Sequence, residues 1–120
     1  MTKPKFHLTR RAATDLRDIY VHSKDQWGEK KARHYIDSIY AAMSSLKADD
    51  HRAKQREGRS LPFHMIPAEK HFIVFEIINK TPVIITLLHQ RRDIESIIRD
   101  FTPDFLAEIS SLRKTIKDKS

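Results

Sequence analysis

The order of apolar patterns along this chain predicts an α+β domain: a short N-terminal strand, a two-helix hairpin, a three-strand antiparallel meander and an additional C-terminal helix. Three observations lead there. Two runs of apolar residues at helical spacing meet at Trp27-Gly28. After Leu61 the spacing changes to short β-branched and aromatic runs separated by turn residues. An apolar face then returns at helical spacing after Pro103. A hairpin with two apolar stripes needs a surface to bury them, so the expected arrangement stacks the helices on one face of the sheet.

Each element has its own local reason. Lys5-Phe6-His7-Leu8-Thr9 alternates polar and apolar residues as a half-buried strand does, and Thr9 is placed to cap the helix that follows. From Arg10 onward Ala13, Leu16, Ile19 and Tyr20 recur at helical spacing, with an end expected near Lys24. Gly28 supplies the positive φ that a turn between helices often demands. The second helix carries Ala32, Tyr35, Ile36, Ile39, Tyr40, Met43 and Leu46 as one long stripe.

Residues 48–61 turn polar and read as a loop, dense in Arg52, Lys54, Arg56 and Arg59 and able to reach phosphate or carboxylate groups. A short strand is expected at Phe63-His64-Met65-Ile66, a turn at Pro67-Ala68-Glu69, and a second strand from His71 to Ile78. Asn79-Lys80-Thr81-Pro82 makes the next turn. The nearly continuous apolar run Val83-Ile84-Ile85-Thr86-Leu87-Leu88 has the character of a central strand covered on both faces. Asp93 caps a short helix from Ile94 to Asp100, and Thr102-Pro103-Asp104 starts the last helix. Phe105, Ile109, Leu112 and Ile116 share one face of that helix, which should fray from Lys117. The organisation is thus one domain over residues 1–100 with a helical extension of it at 101–120. The extension's apolar face must rest on the sheet, on a second copy or on another protein.

Composition narrows the chemistry. With 120 residues the chain is sized for one core. The absence of cysteine excludes disulfides, thiolate nucleophiles and thiolate metal sites. A net charge of +7 favours an anionic macromolecular partner, nucleic acid or an acidic protein segment. The two glycines, Gly28 and Gly58, begin no phosphate-binding loop, and the seven histidines lack metal-ligand spacing, so neither metal nor cofactor is expected. No apolar run approaches the roughly 20 residues of a membrane span, and the N-terminus has no signal-peptide core. The cytoplasm is the expected location, with no membrane partner.

The wording of the segments goes further than their pattern. Leu8-Thr9 followed by Ala12-Ala13, Asp15-Leu16 and Ile19, then Trp27-Gly28, Ala32 and Tyr35, resembles the helical hairpin of ParE-type toxins in the RelE/ParE superfamily. Arg56-Glu57-Gly58, Pro67, His71-Phe72-Ile73-Val74-Phe75 and Leu87-Leu88-His89-Gln90-Arg91-Arg92-Asp93 resemble its strand region. The resemblance covers about three-quarters of the chain, with the motifs in the family's order. It implies a plasmid-stabilisation type toxin of a type II toxin–antitoxin system, neutralised by a cognate antitoxin encoded beside it. Operator DNA would be contacted only through that antitoxin. A homodimer is compatible with the unassigned apolar face of the extension.

Two activities divide the superfamily. ParE-type members poison DNA gyrase and block replication without catalysis of their own, whereas RelE-type members cut messenger RNA on the ribosome. Metal-independent RNA cleavage needs a base, an acid and cations around the phosphorane. Tyr20, Tyr35 and Tyr40 all fall in the helical hairpin and none in the strand region, so the aromatic acid or base usual in RelE-like enzymes is missing there. A histidine-based nuclease would instead use Arg59, His64 and His89. The gyrase reading takes Arg56, Arg59, His64, His71, His89, Arg91 and Arg92 as target or antitoxin contacts, with Tyr20 and Trp27 adding apolar area. A degenerate toxin acting as a co-repressor or interaction module is the third reading. The sequence departs from the ParE pattern at His64, commonly arginine, and at Glu76, commonly aromatic or uncharged polar. Residues 101–120 extend beyond the usual family end.

Overall fold

The computed structural model describes residues 6–46 and 63–118, in the order β1 (His7–Leu8), α1 (Arg10–Trp27), α2 (Glu29–Ser44), β2 (His64–Ala68), β3 (His71–Ile78), β4 (Thr81–His89), α3 (Ile94–Arg99) and α4 (Pro103–Asp118). The four strands form one sheet ordered β1-β4-β3-β2, with β1 parallel to β4 and the meander antiparallel. The α+β class, the hairpin, the meander and the C-terminal helix all match expectation. Among the described residues no helix is long and apolar enough to cross a membrane.

Thr9 joins strand to helix through three bonds. Its Oγ1 accepts the Ala12 N–H at 3.0 Å and donates to the Ile85 carbonyl at 2.7 Å, while its own N–H reaches the Ile84 carbonyl at 3.1 Å. The start of α1 is thereby pinned to β4. The helix runs to Trp27, beyond the expected end near Lys24, and the Gly28 N–H then bonds the Lys24 carbonyl at 2.9 Å. Gly28 stands at φ 87° and serves as both the end of α1 and the start of α2, a reversal in one residue that a side chain would strain. The buried face of α1 is Ala12, Leu16, Ile19 and Ser23. Ala13 is exposed and Tyr20 only half-buried, so the expected stripe was rotated by one residue at its start. In α2, Ala32, Ile39 and Met43 are buried, and the exposed Tyr40 ring lies 6.1 Å from Phe6 at the margin of the contact.

Both turns of the meander are tighter than the sequence suggested. Pro67 and Ala68 belong to β2, which is an edge strand, so a proline with no N–H can be accommodated there. The reversal is left to Glu69-Lys70, with Glu69 at φ 55°. Asn79 and Lys80, at φ 48° and 66°, form a two-residue turn whose handedness suits the strand twist, and Thr81 and Pro82 join β4.

Strand β4 is buried on both faces from Pro82 to Leu88, as its apolar run implied. Because β1 has only two residues, its pairing ends at Leu8 opposite Ile84, and side chains of α1 and its N-cap satisfy the β4 edge beyond that point. The Thr9 hydroxyl takes the Ile85 carbonyl, and Asp15 Oδ2 accepts both the Thr86 hydroxyl and the Leu87 N–H, the latter at 3.1 Å. Backbone groups that a longer β1 would pair are thus not left orphaned.

Helices cover both faces of the sheet: the hairpin stacks on one face as expected, and the C-terminal extension takes the first of its three expected resting places, the sheet's other face. On one face Leu16, Ile39 and Met43 of the hairpin pack with Ile66, Ile73, Phe75, Ile84 and Leu87. On the other, Ile94, Phe101, Phe105 and Ile109 pack with Met65, Val74, Val83 and Ile85. The meander alternates its side chains between these two cores, and the second would be open without α4. Burying Ile109, 2% exposed, contributes on the order of 1.5–3 kcal/mol. Polar contacts fix the placement of α4. Arg113 Nε donates to both Glu76 carboxylate oxygens at 2.9 and 3.1 Å, and the Arg10 N–H at the start of α1 donates to Glu108 at 2.9 Å. Glu76, a charged residue in a largely apolar strand, therefore has its partner on the C-terminal helix.

Candidate functional site

Functional side chains converge where the end of β4, the start of β3 and the tip of the helical hairpin meet. A β-bulge brings the first pair together. Phe75 pairs with Ile84 but Val74 pairs with Thr86, leaving Ile85 as an extra residue in β4. Beyond it the register is shifted by one, so His71 pairs with His89 where an unbroken two-residue hairpin would have paired it with Leu88. Their rings stand edge to face, 5.2 Å between centroids.

The hairpin supplies the rest. Tyr35 Oη lies 2.7 Å from His71 Nδ1 and accepts the Lys70 N–H at 3.1 Å. With one oxygen lone pair engaged by Lys70, the phenol donates to His71 Nδ1 when that ring carries its own proton on Nε2. The tyrosines all lie in the hairpin as expected, yet Tyr35 reaches β3 from α2. Trp27 packs its ring 6.0 Å from that of Tyr35, and Lys70 Nζ sits 5.8 Å from the Trp27 ring centroid. Asp18 and His22, one turn apart on α1, complete the wall of a cavity of ≈ 320 Å³ with Ile19, Ser23, Trp27, Tyr35, Lys70, His71 and His89.

Electrostatics in this cavity are unusual for a surface site. Burial, followed by the charges available to His89 and His22, lowers His71 from its ordinary 6.5 to about 4, so it is neutral at physiological pH. Burial raises the Tyr35 phenol, the Lys70 N–H acts in the opposite sense, and Glu69 adds to the rise. His89 Nδ1 accepts the Arg91 N–H at 3.1 Å. Among the described residues no group of three or more His, Cys, Asp or Glu side chains is arranged to hold a metal ion.

Of the residues singled out from sequence, His71, His89 and Trp27 are in this cluster, and Arg91 adjoins it through its backbone. Arg91 and Arg92 are exposed in the turn after β4. His64 stands apart, opposite Phe75, while His71 faces Ala68 four residues farther along β2, about 13 Å away. The His64 ring lies 5.6 Å from that of Phe75, and its buried Nδ1 has no hydrogen-bond partner among the described residues. His64 and His89 are therefore not assembled into one acid–base site. Tyr20 is half-buried on α1. Arg56 and Arg59 lie outside the described residues. Sequence reasoning missed Tyr35, His22, Lys70 and Asp18 as site residues. Asp18 and His22 are one helical turn apart and could have been paired by spacing, but Tyr35 reads as one more member of an apolar stripe.

Comparisons with known proteins agree with the fold. A family model described as the ParE toxin of type II toxin–antitoxin system, parDE, matches residues 6–94. Toxin ParE1 of Caulobacter vibrioides is 27% identical over 85 residues, which make up 71% of this chain and 88% of that protein. A chain of the chromosomal ParDE TA system from P. aeruginosa shares the fold with a TM-score of 0.56, covering 71% of this chain and 96% of that one at 22% identity. The family match ends at the first residue of α3, so α4 lies beyond it.

Proposed function

Because the chain belongs to the ParE toxin family of type II toxin–antitoxin systems, we propose that it acts by binding DNA gyrase and blocking replication. The toxin of such a pair has a cognate antitoxin as its partner. The site in gyrase, the contact with operator DNA through the antitoxin, a homodimer and a cytoplasmic location all belong to this proposal. One observation supports a contact mechanism over the nuclease drawn from sequence: His64 and His89 stand four residues, about 13 Å, apart along the strand direction. A gyrase poison needs only a complementary surface, and Arg91 and Arg92 present exposed cations beside the cluster. Arg56 and Arg59 are proposed contacts from the loop, and Trp27 and Tyr20 from the hairpin.

The test is to incubate the purified protein with gyrase, ATP and relaxed plasmid, with ribosomes and messenger RNA in parallel. Lost supercoiling with cleaved plasmid, weakened several-fold by Arg91→Glu or Arg92→Glu, is the expected result. Intact supercoiling beside fragmented messenger would replace it with the ribonuclease reading. The observation favouring that second reading is the Tyr35–His71–His89 cluster, which would then hold the acid and base. Activity in neither assay would leave a degenerate toxin serving as a co-repressor or interaction module.

A further inference from the structure

The ≈ 320 Å³ cavity at the end of the sheet has a donor pattern that identifies a ligand class independently of the cellular target. In a neutral imidazole one nitrogen donates and the other accepts. His89 Nδ1 accepts the Arg91 N–H, so a neutral His89 carries its proton on Nε2, and His71 does the same in the tautomer in which its Nδ1 accepts from the Tyr35 phenol. A metal ion would require that proton to be lost or the tautomer exchanged, at the expense of an existing hydrogen bond. What the two rings have left to offer is two N–H donors, and Lys70 adds an ammonium. A cavity furnished this way is complementary to an oxyanion.

The remaining walls restrict what the oxyanion is attached to. Trp27 is 45% exposed, and with Tyr35 it presents aromatic surface on which a planar ring can stack. Asp18 is the carboxylate on the wall; it disfavours a bare anion but accepts hydrogen bonds from hydroxyl groups. Oxyanion, hydroxyls and planar ring together describe one kind of molecule. We propose that this cavity binds a nucleoside phosphate, with phosphate on Lys70, His71 and His89, a ribose or deoxyribose hydroxyl on Asp18, and the base against Trp27.

The ligand's source is either a free nucleotide or a nucleic-acid strand. A neighbouring groove of ≈ 800 Å³ shares Trp27 and Tyr35 and carries Lys30, Lys31 and Arg33 along with Asp37 and Glu69, so a strand leaving the cavity would have cations along its path. The cavity's own volume falls within the range of roughly 300–1,000 Å³ typical of small-molecule sites.

Trp27 is the single tryptophan of the chain, so its fluorescence reports on this cavity and the groove beside it, and the Lys70 and His89 variants assign the signal to the cavity. The full chain, free of antitoxin, is titrated with adenosine 5′-monophosphate, adenosine, inorganic phosphate and a single-stranded hexanucleotide, and binding is also followed by calorimetry. Saturable quenching by the monophosphate is expected, with adenosine or phosphate alone about 10–100-fold weaker because each forgoes part of the charge-assisted contact or the stacking. Lys70→Ala and His89→Gln should weaken the monophosphate by a similar factor while leaving thermal unfolding unchanged. Tighter binding of the hexanucleotide makes the strand the source, and equal binding makes it the free nucleotide. No saturable response to either at ~10 mM, or affinity unaltered in both variants, would overturn the proposal. So would saturation by a glutamate-rich peptide alone, which would assign the cavity to a protein contact.

Discussion

His71 provides the sharpest link between the cluster and a bulk property, the acid sensitivity of the fold. Its pKa is about 4 when folded and 6.5 when unfolded. Above pH 6.5 both states carry a neutral ring and stability is unaffected. As pH falls from there, the unfolded chain takes up a proton that the folded chain refuses, so stability declines until about pH 4, below which both are protonated. The gap between 6.5 and about 4 corresponds to at most about 3.4 kcal/mol, and partial solvent access reduces this to about 1–2 kcal/mol. The groups facing His71 are Asp18 and His22 of α1, Tyr35 of α2, Glu69 and Lys70 of the turn, and His89 of β4. Carboxylates elsewhere titrate in the same range, so the measurement is a difference. Urea unfolding of the native protein and of His71→Asn, which still accepts from Tyr35, is compared at about pH 7 and pH 4.5. The native protein should lose about 1–2 kcal/mol more than the variant. Parallel losses, or a proton NMR titration placing the His71 midpoint at 6.5 or above, would refute the reasoning.

Two further outcomes test how α1 and α4 hold the sheet. Ile109→Ala should cost about 2–5 kcal/mol in urea unfolding, because the side chain is buried in the core between α4 and the sheet; an equal cost for the exposed Leu106→Ala would contradict that packing. Asp15→Ala removes the acceptor for the Leu87 N–H and the Thr86 hydroxyl and should cost about 1–3 kcal/mol, with faster amide exchange at Leu87; unchanged exchange there would show that the β4 edge does not depend on Asp15.

Local signals were enough for much of the fold. Thr9, Asp93 and Thr102 are cap residues whose hydroxyl or carboxylate bonds the backbone within its own turn, so their role depends on neighbours in sequence. The β-branched run at Val83–Leu88 declared itself as a strand buried on both faces, since only such a strand has no polar side to show. Errors arose where the deciding partner was remote. Pro67 and Ala68 read as a turn until the strand order placed β2 at an edge, where a missing N–H is tolerated. Glu76 has no local reason in its strand; its partner, Arg113 of α4, is 37 residues away.

By itself the sequence determined the α+β class, the element order, the helix starts and, through its joint motifs, membership of the ParE toxin family; these follow from residue spacing and short-range bonding. Tertiary structure alone decided that helices cover both faces of the sheet, because an apolar stripe states that it must be buried and not against which surface. It also decided the candidate site. The extra residue Ile85 moves His89 opposite His71, and the packing of α2 carries the Tyr35 hydroxyl to that pair from 36 residues away. A bulge and a helix docking angle both arise from packing over the whole domain, and no local pattern of residues encodes either.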